Sequence, residues 1–314
     1  MKFNKPKFWD YKKPNITSYL LWPISLIIQF INFFKSIGKN NKKNSSIRTI
    51  CIGNIYLGGT GKTSLSLKIN KILDKQKIKA CFIKKYYANQ FDEQKILEKN
   101  NKLFKSTTRQ DSLNRAIEEG YKIAIFDDGL QDFSINYDLS FVCFNNINWI
   151  GNGLTIPAGP LREKLSNLKK YENVFLNGND ENLDDIKKYI LNINPNINIY
   201  EGKYIPLNIS EFDKKNKYLA FSGIGNHKTF ISMLKINKLD IVKDLEFPDH
   251  YNFSKDDIDR IISLSKKNNC KIITTEKDYN RLDPNNKNEI RFIKSDLVIV
   301  NEQKFLKNIS KLYE

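Results

Sequence analysis

Ile50-Cys51-Ile52-Gly53-Asn54-Ile55-Tyr56-Leu57-Gly58-Gly59-Thr60-Gly61-Lys62-Thr63 runs from an apolar segment through a glycine-rich loop into a helical pattern. Ile47–Ile52 reads as a strand and Lys62–Ile78 as a helix. Glycines between them let the backbone curl so that successive N–H groups converge, and the helix amino terminus adds partial positive charge. This is a phosphate cradle. Gly58, Gly59, Thr60 and Gly61 supply backbone donors, Lys62 is spaced to reach β- and γ-phosphates, and the Thr63 hydroxyl suits magnesium. The usual form of this loop carries one further glycine, where this chain has Tyr56.

Downstream, Ile123-Ala124-Ile125-Phe126 is an apolar strand that ends in Asp127-Asp128-Gly129. A carboxylate at a buried strand tip beside a phosphate loop is where such proteins hold magnesium; paired Asp residues after a strand also start turns. Outward from these two segments, apolar runs alternate with helical stretches. Strands are expected at Lys79–Ile83, Leu139–Phe144 and Val174–Asn177, and helices at Asp92–Asn100 and Ser112–Glu119. The rhythm fades over the asparagine-rich Asn177–Glu201, then resumes with strands at Tyr218–Ser222, Ile241–Leu245, Lys271–Thr275 and Leu297–Val300. Helices are expected from His227 and at Lys255–Lys267. The pattern predicts an α/β fold with parallel sheets covered by helices. At 314 residues two domains are expected, at residues 47–202 and 203–314, preceded by a basic segment at 1–46.

That first segment is distinctive. Residues 1–50 hold ten Lys/Arg and one acid, a net of +9 out of +17 for the chain. Such asymmetry points to an anionic partner, either nucleic acid or a membrane surface. Ser18–Phe34 is apolar, and no small-residue cleavage site follows it. Read as a helix starting at Pro23, it places Ser25, Gln29, Asn32 and Ser36 on one narrow stripe. Isoleucines and phenylalanines cover the remainder. So wide an apolar face, flanked by lysines and preceded by Trp22, suits a membrane interface; a core-packing first helix is the alternative. Lysines that bracket an apolar helix do not interleave with exposed aromatics, which disfavours nucleic acid. The four cysteines, Cys51, Cys81, Cys143 and Cys270, are too scattered for a zinc knuckle or a redox pair and read as reduced thiols.

Several blocks, in order, resemble the tetraacyldisaccharide 4′-kinase family, the lipid A 4′-kinases of Gram-negative bacteria. They are Gly53-Asn54 through Thr63; Asp127-Asp128-Gly129-Leu130-Gln131; Gly151-Asn152-Gly153 with Pro157-Ala158-Gly159-Pro160-Leu161-Arg162-Glu163; Phe221–Asn226; Phe247-Pro248-Asp249-His250-Tyr251; and Thr275-Glu276-Lys277-Asp278. The resemblance implies two Rossmann-like α/β/α domains, the first a P-loop NTPase domain, with a cleft between them and an amino-terminal amphipathic helix on the membrane. It implies transfer of the ATP γ-phosphate, with Mg²⁺, to the 4′-hydroxyl of a tetraacyldisaccharide 1-phosphate, giving lipid IVA at the cytoplasmic face of the inner membrane.

By matching blocks, Lys62 and Thr63 hold phosphate and metal, and Asp127 and Asp128 position the metal. Gln131, Arg162 and Glu163 line the cleft. Asp92 in Phe91-Asp92-Glu93-Gln94, with His250, serves the acceptor hydroxyl, and Glu93 lies beside it. The chain departs from the family at Lys84-Lys85-Tyr86-Tyr87-Ala88, where Ser-Arg-Gly-Tyr-Gly is usual, and at Asp132, where His is usual. A membrane-bound P-loop ATPase acting as switch or scaffold shares the loop and the basic helix.

Overall fold

The computed structural model describes residues 5–37, 46–86, 91–179 and 183–314, with backbone only for residues 35–37, Phe91 and Asp92. The chain forms two compact units. The first comprises residues 1–177, 182–202 and 299–314, and the second residues 178–181 and 203–298.

The first unit is built on a sheet ordered β12-β7-β6-β5-β1-β4-β2-β3. Its strands are β1 (Arg48–Gly53), β2 (Ala80–Lys85), β3 (Leu103–Ser106), β4 (Ile123–Asp127), β5 (Leu139–Asn145), β6 (Asn173–Asn177), β7 (Asn198–Pro206) and β12 (Ser295–Val300), the last two with residues 203–206 and 295–298 counted in the second unit. The pairs from β3 across to β7 are parallel. Strands buried on both faces need continuous apolar runs, and β1, β2, β4 and β6 are almost wholly buried. Helices α1 (Ile16–Ile37), α2 (Lys62–Lys75), α3 (Phe91–Asn100), α4 (Arg109–Glu118), α5 (Asp184–Ile193) and α9 (Glu302–Ser310) accompany it.

The strand order turns at β1, which lies between β4 and β5. Ligands of parallel sheets gather at the carboxyl ends of strands at such a turning point. In register, Ile52 of β1 pairs with Asp127 of β4, so the phosphate loop and the acidic strand tip leave the sheet side by side.

The second unit holds a parallel sheet ordered β11-β10-β8-β9. Its strands are β8 (Lys217–Ser222), β9 (Asp240–Glu246), β10 (Lys271–Thr275) and β11 (Ile290–Ile293), with helices α6 (His227–Ile236), α7 (Lys255–Lys267) and the single turn α8 (Glu276–Tyr279).

Four features differ from the sequence expectation. Helix α1 starts at Ile16, with the Asn15 side chain accepting from the Ser18 N–H at 2.9 Å, so Pro23 lies inside it rather than at its first turn. The asparagine-rich stretch holds α5 and β7; α5 buries only Ile190 fully, too thin an apolar stripe to register as periodicity. The short strands β3 and β11 span four residues each and were absent from the expected set. The expected second domain ran to residue 314, whereas residues 299–314 belong to the first unit. There Phe305 of α9 packs on Phe141, Phe175 and Tyr200. The expected basic linker over Asn40–Ser46 lies outside the described residues except for Ser46.

Candidate functional site

The phosphate loop leaves β1 at Gly53 and reaches α2 at Lys62. Gly61 precedes the helix with φ +75°, a left-handed conformation that side chains rarely adopt. Asn54 Nδ2 steadies the loop by donating to the carbonyls of Tyr56 at 2.5 Å and Gly58 at 3.3 Å, and Asn177 donates to the Thr60 carbonyl.

Tyr56 explains the missing glycine. Its backbone bridges to Leu161, its ring is buried, and its hydroxyl donates to Asp10 at 2.9 Å and accepts from Lys5 at 2.7 Å. Leu57 N–H donates to Pro160 O at 2.8 Å, and Arg162 N–H to Ile55 O at 2.7 Å. The loop is thus laced to the Pro157–Arg162 segment as a short ladder, a constraint that a glycine there would not provide.

The acidic pair divides its work. Asp127 ends β4 fully buried, with Thr63 Oγ1 donating toward Oδ2 at 3.4 Å and Ser66 Oγ toward Oδ1 at 3.3 Å. Asp128 turns out of the strand at φ +64°, a region that Asp enters more readily than most residues. There Arg162 grips both of its oxygens, Nη1 to Oδ1 at 2.7 Å and Nη2 to Oδ2 at 3.3 Å, and Lys62 Nζ stands 3.8 Å away. Burial alone raises the Asp128 carboxyl, but Lys62 and Arg162 outweigh it and hold it well below the usual carboxylate range.

Around this pair, Arg162 Nη1 donates to Gln131 Oε1 at 3.0 Å, and Gln131 Nε2 donates to Asn54 O at 3.0 Å and to Glu163 Oε1 at 3.1 Å. Asn167 and Tyr171 donate to Glu163 as well. The structure therefore brings Lys62, Thr63, Asp127, Asp128, Gln131, Arg162 and Glu163 together. Beside them a cavity of about 640 Å³ is lined by Gln131, Arg162, Lys164, Lys170 and Tyr171, and by Gln29, Asn32 and Phe33 of α1.

Two residues that sequence reasoning did not assign complete the site. Arg109, at the start of α4, donates to Asp128 O at 2.5 Å and to Asp132 Oδ2 at 3.0 Å, so Asp132 in place of His carries a cation of its own. Lys84, noted only as a departure from the family, is 2% exposed and donates to both Asp127 and Glu93 at 2.6 Å. Its signal was a lysine directly after the apolar run that ends at Ile83; β2 extends over it, and a lysine stays buried only when paired. Asp92 lies in the first turn of α3; its side chain is outside the described residues, as are Tyr87 and Ala88.

In the second unit, three of the quoted blocks meet. Gly223 N–H donates to Asp278 Oδ2 at 3.1 Å, His250 N–H donates to Gly223 O at 3.1 Å, and Arg281 donates to His250 Nδ1 at 3.1 Å. Accepting at Nδ1 leaves the neutral ring's proton on Nε2.

Helix α1 has an inverted profile. Among its described side chains Ser18 and Ser25 are the buried ones, while Ile16, Leu20, Ile27, Phe30 and Phe33 are exposed. Ser25 Oγ donates to Thr155 O at 2.9 Å and accepts from Ala158 N–H at 3.1 Å; Gln29 donates to Thr155 Oγ1 at 2.5 Å, and Asn152 donates to Ser18 Oγ at 3.0 Å. Gly151 is needed here, since a Cβ would collide with the Trp9 carbonyl. The expected polar stripe is thus the docking face at Ser25 and Gln29; Asn32 is exposed and the Ser36 side chain lies outside the described residues. Ile16–Phe34 is long and apolar enough to cross a membrane.

A divalent cation fits this donor set. The buried Asp127 carboxylate and the Thr63 hydroxyl are hard oxygen donors, and magnesium is commonly held by one or two carboxylates together with substrate phosphates. Among the described residues, no group of three or more His, Cys, Asp or Glu stands ready to hold a metal alone.

Comparison with known proteins identifies the family. The family profile described as tetraacyldisaccharide-1-P 4′-kinase matches residues 17–105 and 88–314. A tetraacyldisaccharide 4′-kinase of Pelagibacter ubique is 63% identical over 314 residues, covering 100% of this chain and 99% of that protein. One from Rickettsia bellii is 33% identical over 335 residues, covering 100% and 98%. The crystal structure of LpxK from Aquifex aeolicus in complex with ATP has the same fold, with a TM-score of 0.66 at 20% identity over 95% of this chain and 100% of that one.

Proposed function

Because the chain belongs to the tetraacyldisaccharide-1-phosphate 4′-kinase family, we propose that it transfers the γ-phosphate of ATP to the 4′-hydroxyl of a tetraacylated disaccharide 1-phosphate. The observation that carries this reading is the meeting of Lys62, Asp128 and Arg162 beside the buried carboxylate Asp127. Phosphoryl transfer asks a protein chiefly for positioning and for charge. The N–H groups of Gly58–Gly61 and the Lys62 ammonium hold the phosphate chain, and Arg162 fixes Asp128 in its turned-out position. Asp127 and Thr63 would hold magnesium, with Asp128 beside them, and the bound metal would supply neutralisation of phosphate charge.

On the acceptor side, Asp92 is proposed as the base that removes the hydroxyl proton, and His250 is proposed, from the family resemblance alone, to assist that step. Glu93, Gln131 and Glu163 keep that side polar. The cavity beside α1 receives the sugar headgroup, with Lys164 and Lys170 available to its 1-phosphate. Helix α1 lies in the cytoplasmic leaflet of the inner membrane with its apolar face down. Each lysine near an anionic leaflet adds roughly 1 kcal/mol.

The test is transfer of radiolabelled phosphate from Mg-ATP to tetraacyldisaccharide 1-phosphate in detergent micelles. Wild type should label the lipid, and Lys62→Ala and Asp92→Ala should not. Hydrolysis without labelled lipid would transfer support to a membrane-bound ATPase switch. Retained labelling in Asp92→Ala would move the base to Glu93 or His250.

A further inference from the structure

Lys84 has no place in the functional reading above. It lies one residue before the end of β2, and its ammonium bridges Asp127 Oδ2 and Glu93 Oε2 at 2.6 Å each. Asp127 is fully buried and Glu93 partly so. Two carboxylates at 2.6 Å share the ammonium as their common counter-charge.

Its position matters more than its charge. The oxygen that Lys84 grips, Asp127 Oδ2, is the one that Thr63 Oγ1 faces. A divalent cation taken up by Asp127 and Thr63 must share that oxygen with the ammonium or displace it. Like charges a few ångströms apart repel strongly when partly shielded from water. The other end of the bridge, Glu93, lies on α3 next to Asp92.

We propose that Lys84 is a positioning residue that acts as the resident counter-cation of Asp127, competing with the divalent metal for Oδ2 while tethering Glu93 of α3 to the phosphate site. This rests on the reading of Asp127 as the metal-side carboxylate. In consequence, metal without nucleotide binds weakly. Phosphate oxygens supply the extra negative charge that lets metal and ammonium coexist, so productive binding favours the metal–nucleotide pair over the bare ion.

The test uses the full-length protein in detergent micelles and Mn²⁺ alone, with free ion read by electron paramagnetic resonance. Lys84→Met keeps the length of the side chain and removes its charge. It should bind Mn²⁺ about tenfold more tightly than wild type, the size of one partly screened charge interaction, while Lys84→Arg should match wild type. Thermal melting should also rise more steeply with Mg²⁺ in Lys84→Met than in wild type. Unchanged or weaker Mn²⁺ affinity in Lys84→Met would overturn the proposal, since a merely structural lysine lowers stability without tightening metal binding. If Lys84→Met does not fold, Lys84→Met with Glu93→Gln removes one stranded carboxylate, and the same comparison decides. Adding Asp127→Asn separates the two readings: if the tightened Mn²⁺ binding survives that change, the metal assignment of Asp127 fails.

Discussion

Arg162 clasps Asp128 with two nitrogens, at 2.7 and 3.3 Å, and so ties the Pro157–Glu163 segment to the tip of β4. A planar two-pronged grip is something that lysine cannot reproduce. Arg162→Lys should lower phosphate transfer by about tenfold to a hundredfold with the fold intact, measured as kcat together with a circular dichroism spectrum. Equal rates would show that the clasp is ornamental. Asp128→Asn should melt higher than Asp128→Ala by about 1 kcal/mol, because alanine pays for the left-handed backbone at that position.

Lys62 should act on the transition state more than on acceptor binding. Lys62→Ala is expected to reduce kcat by about 10²–10³-fold, the usual loss when one preorganised charge donor is removed, with little change in the KM for the lipid acceptor. A large rise in acceptor KM at constant kcat would place Lys62 in acceptor binding instead.

Asp132 gives a pH signature. Burial raises its carboxyl, but hydrogen bonds from Ser134 and Arg109 outweigh this and hold it below the ordinary Asp value. A depressed carboxylate contributes stability that is present above the unfolded value, about pH 3.9, and is lost as pH falls below it. Asp132→Asn should therefore cost roughly 1 kcal/mol at pH 7, and the gap to wild type should close on acidification below about pH 4. Chemical denaturation from pH 3 to 7 would read it; a gap independent of pH would rule out the carboxylate as its source.

Opposite faces of α1 should fail in opposite ways. Ile27→Ser and Phe30→Ser remove exposed apolar side chains and should each weaken vesicle binding about tenfold, read by co-sedimentation, without lowering the melting temperature. Ser25→Leu should leave vesicle binding intact but destabilise by about 1–3 kcal/mol, because it strands the Ala158 N–H and leaves the Thr155 carbonyl with the Gly159 N–H as its partner. The reverse pattern would refute the inverted orientation.

Most of the phosphate side was legible in sequence because it is local: strand, loop and helix follow one another from Ile50 to Thr63, and the acidic pair ends its own strand. The Ser25–Gln29 part of the stripe on α1 was legible for the same reason, since a stripe is a property of spacing; Ser18, ahead of the expected start at Pro23, was not. What was missed depends on partners far along the chain. Lys84 has meaning only through Asp127, forty-three residues away, and Arg109 only through Asp128 and Asp132. Tyr56 looked like a blemish because its reason, Asp10 and Lys5, lies in another segment. Strands β3, β7 and β11 escaped because short or half-exposed strands carry too few apolar positions to mark a period.

The inverted helix also reverses the ordinary rule for which substitutions a helix tolerates. In a water-bathed helix the outward positions drift freely and the inward ones stay greasy. On α1 the outward positions should accept any bulky hydrocarbon but no charge, and the inward serines should accept almost nothing. A saturation-mutagenesis map scored by hydropathy would therefore rank this helix upside down. Its apparently interchangeable serines would emerge as its least forgiving sites.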